Sequence, residues 1–414
     1  MLSPAATAAK PAPTLRRALS LWLLTFYGLG TIIGAGIYVL IGEVADAAGM
    51  TAPLAFRAAG LLAVLTDLCY AELAGRFPEA SGAAAYVAEG LASVWLSRTV
   101  GVIMLFTGII IAASLARGAS GYLAAFVDLP PTVAAGALVL AFTALSCLGV
   151  RESVGIAAGM TVIEIAGLLL VIAIGSPALA DLPERLPDMW PAGGDAWLAV
   201  GSGAVISFFA FIGFESVANM AEEAKEPKRD MPRAILLAIG ISTLLYVVVA
   251  VVVVLSVPLE RLRNAAAPLV LVLEASGSAS HRWLSLIALI AILSGILIQV
   301  VMAARLLYGM ARRGLLPAWL GQVSRYTRAP VRATLTVGAV SFVAAVAFPF
   351  GGLVAATSGL TLIIFFFVSL ALWRLHRTRP PVESGFRAPR WAPPVAALLC
   401  LGLLTIQMFG WLFG

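Results

Sequence analysis

Charge is what this chain has least of: only 12% of its 414 residues are Asp, Glu, Lys or Arg, where a soluble domain carries about a quarter. With 61% hydrophobic residues and a mean hydropathy of +1.01, the composition is that of an integral membrane protein. Histidine is scarcer still. His281 and His376 both sit at segment ends beside arginines, and a haem pair or buried metal centre needs inward-facing histidines. The three cysteines, Cys69, Cys147 and Cys400, lie inside apolar stretches with no CxxC spacing, which supports neither a disulfide framework nor a zinc site. No cofactor is therefore expected. HExxH and GxSxG patterns are missing, which argues against a membrane-embedded enzyme. The formal charge of +6 is no sign of a nucleic-acid partner, because the basic residues do not gather on a soluble face.

What is present is a series of apolar runs. A spanning helix needs about 20 mostly apolar residues, and such runs occur near 20–41, 52–74, 94–126, 131–149, 153–175, 196–220, 234–257, 283–308, 333–350, 353–375 and 392–413. The alternation expected of outer-membrane barrel strands is absent, so the fold class is all-α, a polytopic membrane protein with about eleven spanning helices. Twenty of the 27 basic residues fall on the side of the N-terminus and only four on the other; Arg57, Arg117 and Arg305 lie within spans. The positive-inside rule then places the N-terminus in the cytoplasm. The chain divides into an N-terminal tail (1–18), a first five-helix repeat (19–175), an extracellular loop (176–195), a second five-helix repeat (196–376), and a loop with the last span (377–414). The longest stretches outside the spans are roughly 20 residues, too short to bury a core of their own.

Two spans are poor helices. The first carries Gly28, Gly30, Gly34 and Gly36 within nine residues, each costing about 1 kcal/mol relative to alanine. The sixth places Gly213 and Glu215 in its middle. Glycines of this kind also permit close helix packing. Their coincidence at the first member of each five-helix half favours a second reading, a transporter site built from broken helices. A break exposes N–H groups of one half-helix and carbonyls of the other. A zwitterion complements that arrangement, with its carboxylate at Gly34 to Gly36 and its ammonium at Phe209 to Ile212.

These stretches resemble the amino acid/polyamine/organocation (APC) transporters, in particular their bacterial amino acid permeases. The resemblance is carried by Gly28-Leu29-Gly30-Thr31-Ile32-Ile33-Gly34-Ala35-Gly36-Ile37 and by Cys69-Tyr70-Ala71-Glu72-Leu73-Ala74-Gly75-Arg76-Phe77-Pro78-Glu79-Ala80-Ser81-Gly82. It extends through Phe208-Phe209-Ala210-Phe211-Ile212-Gly213-Phe214-Glu215, the run from Glu222 to Ile235, and Arg305 to Pro317. It implies a LeuT-like five-plus-five inverted repeat with broken helices 1 and 6, in a bacterial cytoplasmic membrane. It also implies an amino acid substrate whose carboxylate meets the backbone of Ile32, Gly34, Ala35 and Gly36. The amino group would meet Phe209, Ala210, Phe211, Ile212 and Gly213, with Phe209 as an aromatic lid. The family commonly has twelve spans, and eleven are legible here; the core needs ten. Many proton-coupled members carry a lysine in span 5. Glu164 stands there in this chain, and no apolar segment contains a lysine, so a lysine switch does not carry over.

An ionisable side chain in hydrocarbon costs at least about 2.5 kcal/mol and needs a partner, a cavity or neutralisation. Glu164 is the sharpest case: a proton carrier, a Na⁺ ligand together with Ser294, or a structural hydrogen bond. Glu215 is a gate, a proton site, a partner for a cationic substrate, or a helix cap. Asp67 and Arg57 are too far apart on span 2 to pair along one helix. Glu72 and Arg305, near span ends, read as loop anchors, and Arg117 as a snorkelling side chain. Gln299, Ser294, Thr357, Ser358 and Thr361 either face the cavity or bond between helices. The resulting expectation is a secondary transporter that imports an amino acid with a proton; an exchanger or polyamine carrier and a Na⁺ symporter are the alternatives. A channel would need a selectivity filter or rings of charge.

Overall fold

The computed structural model describes residues 17–123, 129–262, 268–277, 281–348, 350–379 and 385–413. Its helices are α1 (Leu21–Ala48), α2 (Ala52–Arg76), α3 (Ala83–Leu91), α4 (Val94–Leu123), α5 (Pro131–Ser146), α6 (Val150–Gly175), α7 (Leu182–Arg185) and α8 (Gly194–Phe209). There follow α9 (Glu215–Ala218), α10 (Pro227–Ser256), α11 (Leu259–Leu262), α12 (Pro268–Ala275), α13 (His281–Arg312), α14 (Val331–Ala347), α15 (Phe350–Thr378) and α16 (Ala392–Phe413). Among the described residues no strand forms beyond a single bridge between Leu19 and Ala224. Among the described residues each of the eleven apolar runs is helical over most of its length, and seven stretches are long and apolar enough to cross a membrane. The helices α5 and α14 are apolar but shorter, and α8 stops after 16 residues at an interruption. The protein is a multi-pass membrane protein.

Helix starts follow local chemistry. Ser20 precedes α1 and its Oγ accepts from the Leu23 N–H at 3.4 Å, while prolines open α2, α5 and α10, where a missing N–H costs nothing. Water does not drive helices together in a bilayer, so packing relies on small residues that let backbones approach. Gly90 of α3 lies against the Ala371 backbone, and Gly60 of α2 against Thr243 of α10. A pattern runs through the bundle: spans five apart in order pack on one another, α1 on α8, α2 on α10, α4 on α13 and α5 on α14. That pairing brings the two glycine-bearing spans together in the interior.

The end of the bundle that carries the N-terminus and most basic residues, here the basic end, is closed by ion pairs. Arg305 Nε lies 3.0 Å from Glu223 Oε1, both side chains fully buried. Glu72 accepts from the Ala388 N–H at 2.8 Å and pairs with Arg76 and with His376 Nε2 at 2.8 Å. Arg313 joins Glu79 and Glu89, and Arg379 reaches Glu89 at 3.0 Å. The chain entry is tied to the same end: the N–H groups of Ala18 and Leu19 donate to the Glu223 carbonyl, and that of Lys225 donates to Leu19.

Candidate functional site

Within α1 one residue departs from helical geometry, Gly34, with φ 19° and ψ −141°. This is where the glycine-rich run of the first span predicts weakness, and the residue is buried. A methyl group added at Gly34 would meet no atom of the described residues within 4 Å, so among those residues the kinked backbone borders open space. The N–H groups just after such a break lack acceptors one turn back.

The second interruption occupies residues 210–214, between α8 and α9. The last turn tightens, with the N–H of Ala210 donating to Ser207 and that of Phe211 to Phe208, both at 3.0 Å. Gly213 then takes φ +138°, a conformation that side-chain-bearing residues rarely adopt, and sits against the backbone of Thr31. Glu215 turns back so that its Oε2 accepts from the Gly213 N–H at 2.9 Å, satisfying a donor at the start of α9. The carboxylate thus bonds the backbone of the interruption just ahead of α9.

The two interruptions touch. A Cβ on Gly36 would lie 3.2 Å from the Ala210 Cα, so the two chains run in close contact there. Tyr246 of α10 joins them as well, its hydroxyl 2.7 Å from the Ile32 carbonyl and 3.1 Å from that of Ala210. Ile32, Ala210 and Phe211 are buried, Ile212 and Gly36 half-buried. Ile32, Gly34, Gly36, Ala210 and Gly213 therefore converge on one place, and Phe211 packs on the Tyr246 ring at 5.0 Å. The side chains of Ala35, Phe209 and Ser358 lie outside the described residues, which includes the lid expected at Phe209.

Glu164 of α6 is fully buried. Its carbonyl accepts from the Tyr38 hydroxyl at 2.8 Å, and its Oε1 accepts from the Ser294 hydroxyl. The second oxygen, Oε2, has no partner among the described residues. Ser294 also lies 2.9 Å from the Ala291 carbonyl, and with one proton it serves one acceptor at a time. Both carboxylate oxygens of Asp67 are likewise buried without a partner among the described residues. Arg57 is exposed, and Arg117 donates to the Phe348 carbonyl at 3.3 Å. Thr361 bonds back to Thr357 along its own helix. Among the described residues no group of three or more His, Cys, Asp or Glu is arranged to hold a metal.

Sequence reasoning passed over Tyr38 and Tyr246. Their signal was present, a phenol in the middle of an apolar span whose hydroxyl must find an acceptor, but which acceptor depends on a different helix.

Residues 19–413 match the family described as amino acid permease. The mitochondrial cationic amino acid transporter 3 of Arabidopsis thaliana is 34% identical over 89% of this chain and 64% of its own length. The branched-chain amino acid permease BcaP of Bacillus subtilis (strain 168) is 30% identical over 96% of this chain and 89% of its own. The methylthioribose transporter of the same organism is 30% identical over 94% and 88%. The chain spans less than two thirds of the length of the plant transporters it matches.

Proposed function

The chain belongs to the amino acid permease family of the APC superfamily, and from that premise we propose that it is a secondary transporter that imports an amino acid, coupled to protons, by alternating access around the paired interruptions. The observation that carries the reading is the contact between two broken stretches, Gly34 to Gly36 and Ala210 to Gly213, beside open space at Gly34. Backbone freed from a helix is tolerated at membrane depth where it lines a cavity or is buried in protein. The carboxylate of an amino acid would sit at the N–H groups following Gly34, the positive end of a half-helix. Its ammonium would take carbonyls at 209–212. The packing of each of the first four spans on the span five places later supports a LeuT-like repeat of 19–175 on 196–376.

Glu164 is the proposed proton site. It is buried beside α1, and a hydroxyl rather than a counter-ion holds it, so gain and loss of a proton there is coupled to the α1 interruption through Tyr38. Its unpartnered oxygen would equally suit Na⁺, which makes sodium coupling the second reading. Orientation follows from the basic loops: the N-terminus and the ion-paired end face the cytoplasm, in a bacterial inner membrane. Proton-free exchange remains the functional alternative within this class.

Uptake into proteoliposomes tests all of this. The panel is labelled L-leucine, L-arginine and methylthioribose, each under an inward proton gradient, an inward sodium gradient, or neither. Accumulation of an amino acid with the proton gradient alone is the expected result. Accumulation driven by sodium, or uptake that responds only to internal amino acid, would replace proton symport by the corresponding alternative. Uptake of methylthioribose alone would remove the zwitterion site. Gly36→Leu pushes a side chain into Ala210 and is expected to abolish amino acid binding while the protein still inserts; retained binding would overturn the site.

A further inference from the structure

The first turns of α10 form one wall of a cavity of about 360 Å³ at the basic end, through Lys228, Arg229, Pro232, Arg233 and Leu236. Phe386 and the residue before it close the other side. Both walls rest on the end of α2: a Cβ on Gly75 would lie 3.2 Å from Pro232, and the Ala388 N–H donates to Glu72 at 2.8 Å. The lining carries three cationic side chains and no acidic one. Glu226 pairs with Arg229 at 3.3 Å without lining the cavity, and Asp230 is buried. Lys228 and Arg233 are exposed and have no ion-pair partner among the described residues. Charge and apolarity are also sorted by depth. α10 runs from the basic end into the membrane, so at about 1.5 Å per residue Leu236 lies about 12 Å deeper than Lys228. Leu237 and Leu244 follow Arg233 by one and three turns on the same helical face, and both are exposed, 37% and 66%, at the level of the acyl chains. A free anion has no use for that apolar continuation. A phospholipid uses both halves.

We propose that this cavity binds an anionic phospholipid, its phosphate among Lys228, Arg229 and Arg233 and its acyl chains along Leu236, Leu237 and Leu244. The site goes beyond the transport reading and does not depend on it. Any basic membrane surface attracts anionic lipid over a Debye length. A built site differs in two ways: contact is confined to its own walls, and binding needs both the charge of the headgroup and the chains attached to it.

The experiment is native mass spectrometry of the purified full chain in a neutral detergent, titrated with phosphatidylglycerol or phosphatidylcholine. A phosphatidylglycerol carrying a diazirine in its upper acyl chain maps the contact on the unaltered protein. Phosphatidylglycerol should bind about tenfold or more tightly than phosphatidylcholine, and Arg233→Gln should weaken it about fivefold while leaving phosphatidylcholine unchanged. Arg325→Gln removes a charge from another exposed position at the same end and should change neither. The diazirine should label the peptides that carry Leu236 or Phe386. Absence of a preference for phosphatidylglycerol, labelling confined to other peptides, or equal weakening by Arg233→Gln and Arg325→Gln overturns the proposal. Displacement of the lipid by inorganic phosphate, or by glycerophosphoglycerol, the headgroup without its chains, would make this a free-anion site and overturns it too. Labelling is read on the unaltered chain, so it decides the matter even where a variant does not fold.

Discussion

Glu164 and Glu223 are both carboxylates with 0% exposure, yet the protein holds them by opposite means. Glu223, at the basic end, faces the Arg305 guanidinium at 3.0 Å. Glu164, beside the α1 interruption, faces only the hydroxyl of Ser294, and no described residue gives it a counter-charge. The difference is physical. Two opposite charges buried together cannot change protonation separately without leaving the other uncompensated, so the Arg305–Glu223 pair serves as a fixed closure. A carboxyl group held by a hydroxyl can exist with or without its proton, because that hydroxyl can donate to it or to Ala291. One region is built to stay as it is, the other to switch.

Breaking the fixed region has the largest expected effect. Arg305→Leu strands Glu223 and should cost about 3–5 kcal/mol, read as thermal unfolding in detergent, whereas Arg305→Leu with Glu223→Leu should recover most of it. The loss depends on pH. Burial pushes the Glu223 carboxyl up, with Arg305 acting in the opposite direction. A carboxyl whose folded value is raised stabilises the fold below its unfolded value, and that contribution is lost as pH rises through the folded value. Removing Arg305 raises it further. The Arg305→Leu deficit at pH 8 should therefore shrink on acidification, and a pH-independent deficit would mean that Glu223 is not the stranded charge.

Next in size is Ser294→Ala, which takes away the one donor to Glu164 Oε1. It should destabilise by about 1–3 kcal/mol, measured in the same way. Glu164→Gln keeps an acceptor for Ser294 and removes the charge, so the change in melting should be within about 1 kcal/mol. Its signature is functional: gradient-driven accumulation disappears while exchange persists. Equal loss of both would place Glu164 with the structural carboxylates. Smallest is Arg229→Ala, which opens an exposed pair with Glu226 at 3.3 Å; about 0–0.5 kcal/mol is expected, and a larger loss would show that exposed charge at this end also contributes to closure.

Much of the fold was legible because a bilayer allows few solutions. Eleven apolar runs can only be helices, and among the described residues each is helical over most of its length. The two weak points were legible too. Four glycines around Gly34 and the Gly213–Glu215 combination predict interruptions, and the backbone departs from the helix at Gly34 and again at 210–214. What could not be read was partnership. Arg305 was recognisable as an anchored charge, but its partner Glu223 lies 82 residues away in another element. The same holds for Glu72, whose neighbours His376 and Ala388 come from the far end of the chain. Span count by length was less clear-cut, since α5, α14 and the interrupted α8 are short and owe their place to neighbouring helices.

By itself the sequence determined the class of fold, the sidedness of charge and the places where helices fail, because hydropathy, loop charge and glycine content act locally along the chain. Only the tertiary structure decided that the two failures lie against each other, that a side chain at Gly36 would crowd Ala210, 3.2 Å from its missing Cβ, and that Tyr246 serves both breaks. Those facts depend on which helix faces which, and a hydrogen bond of 2.7 Å leaves no trace in the spacing of residues 214 apart.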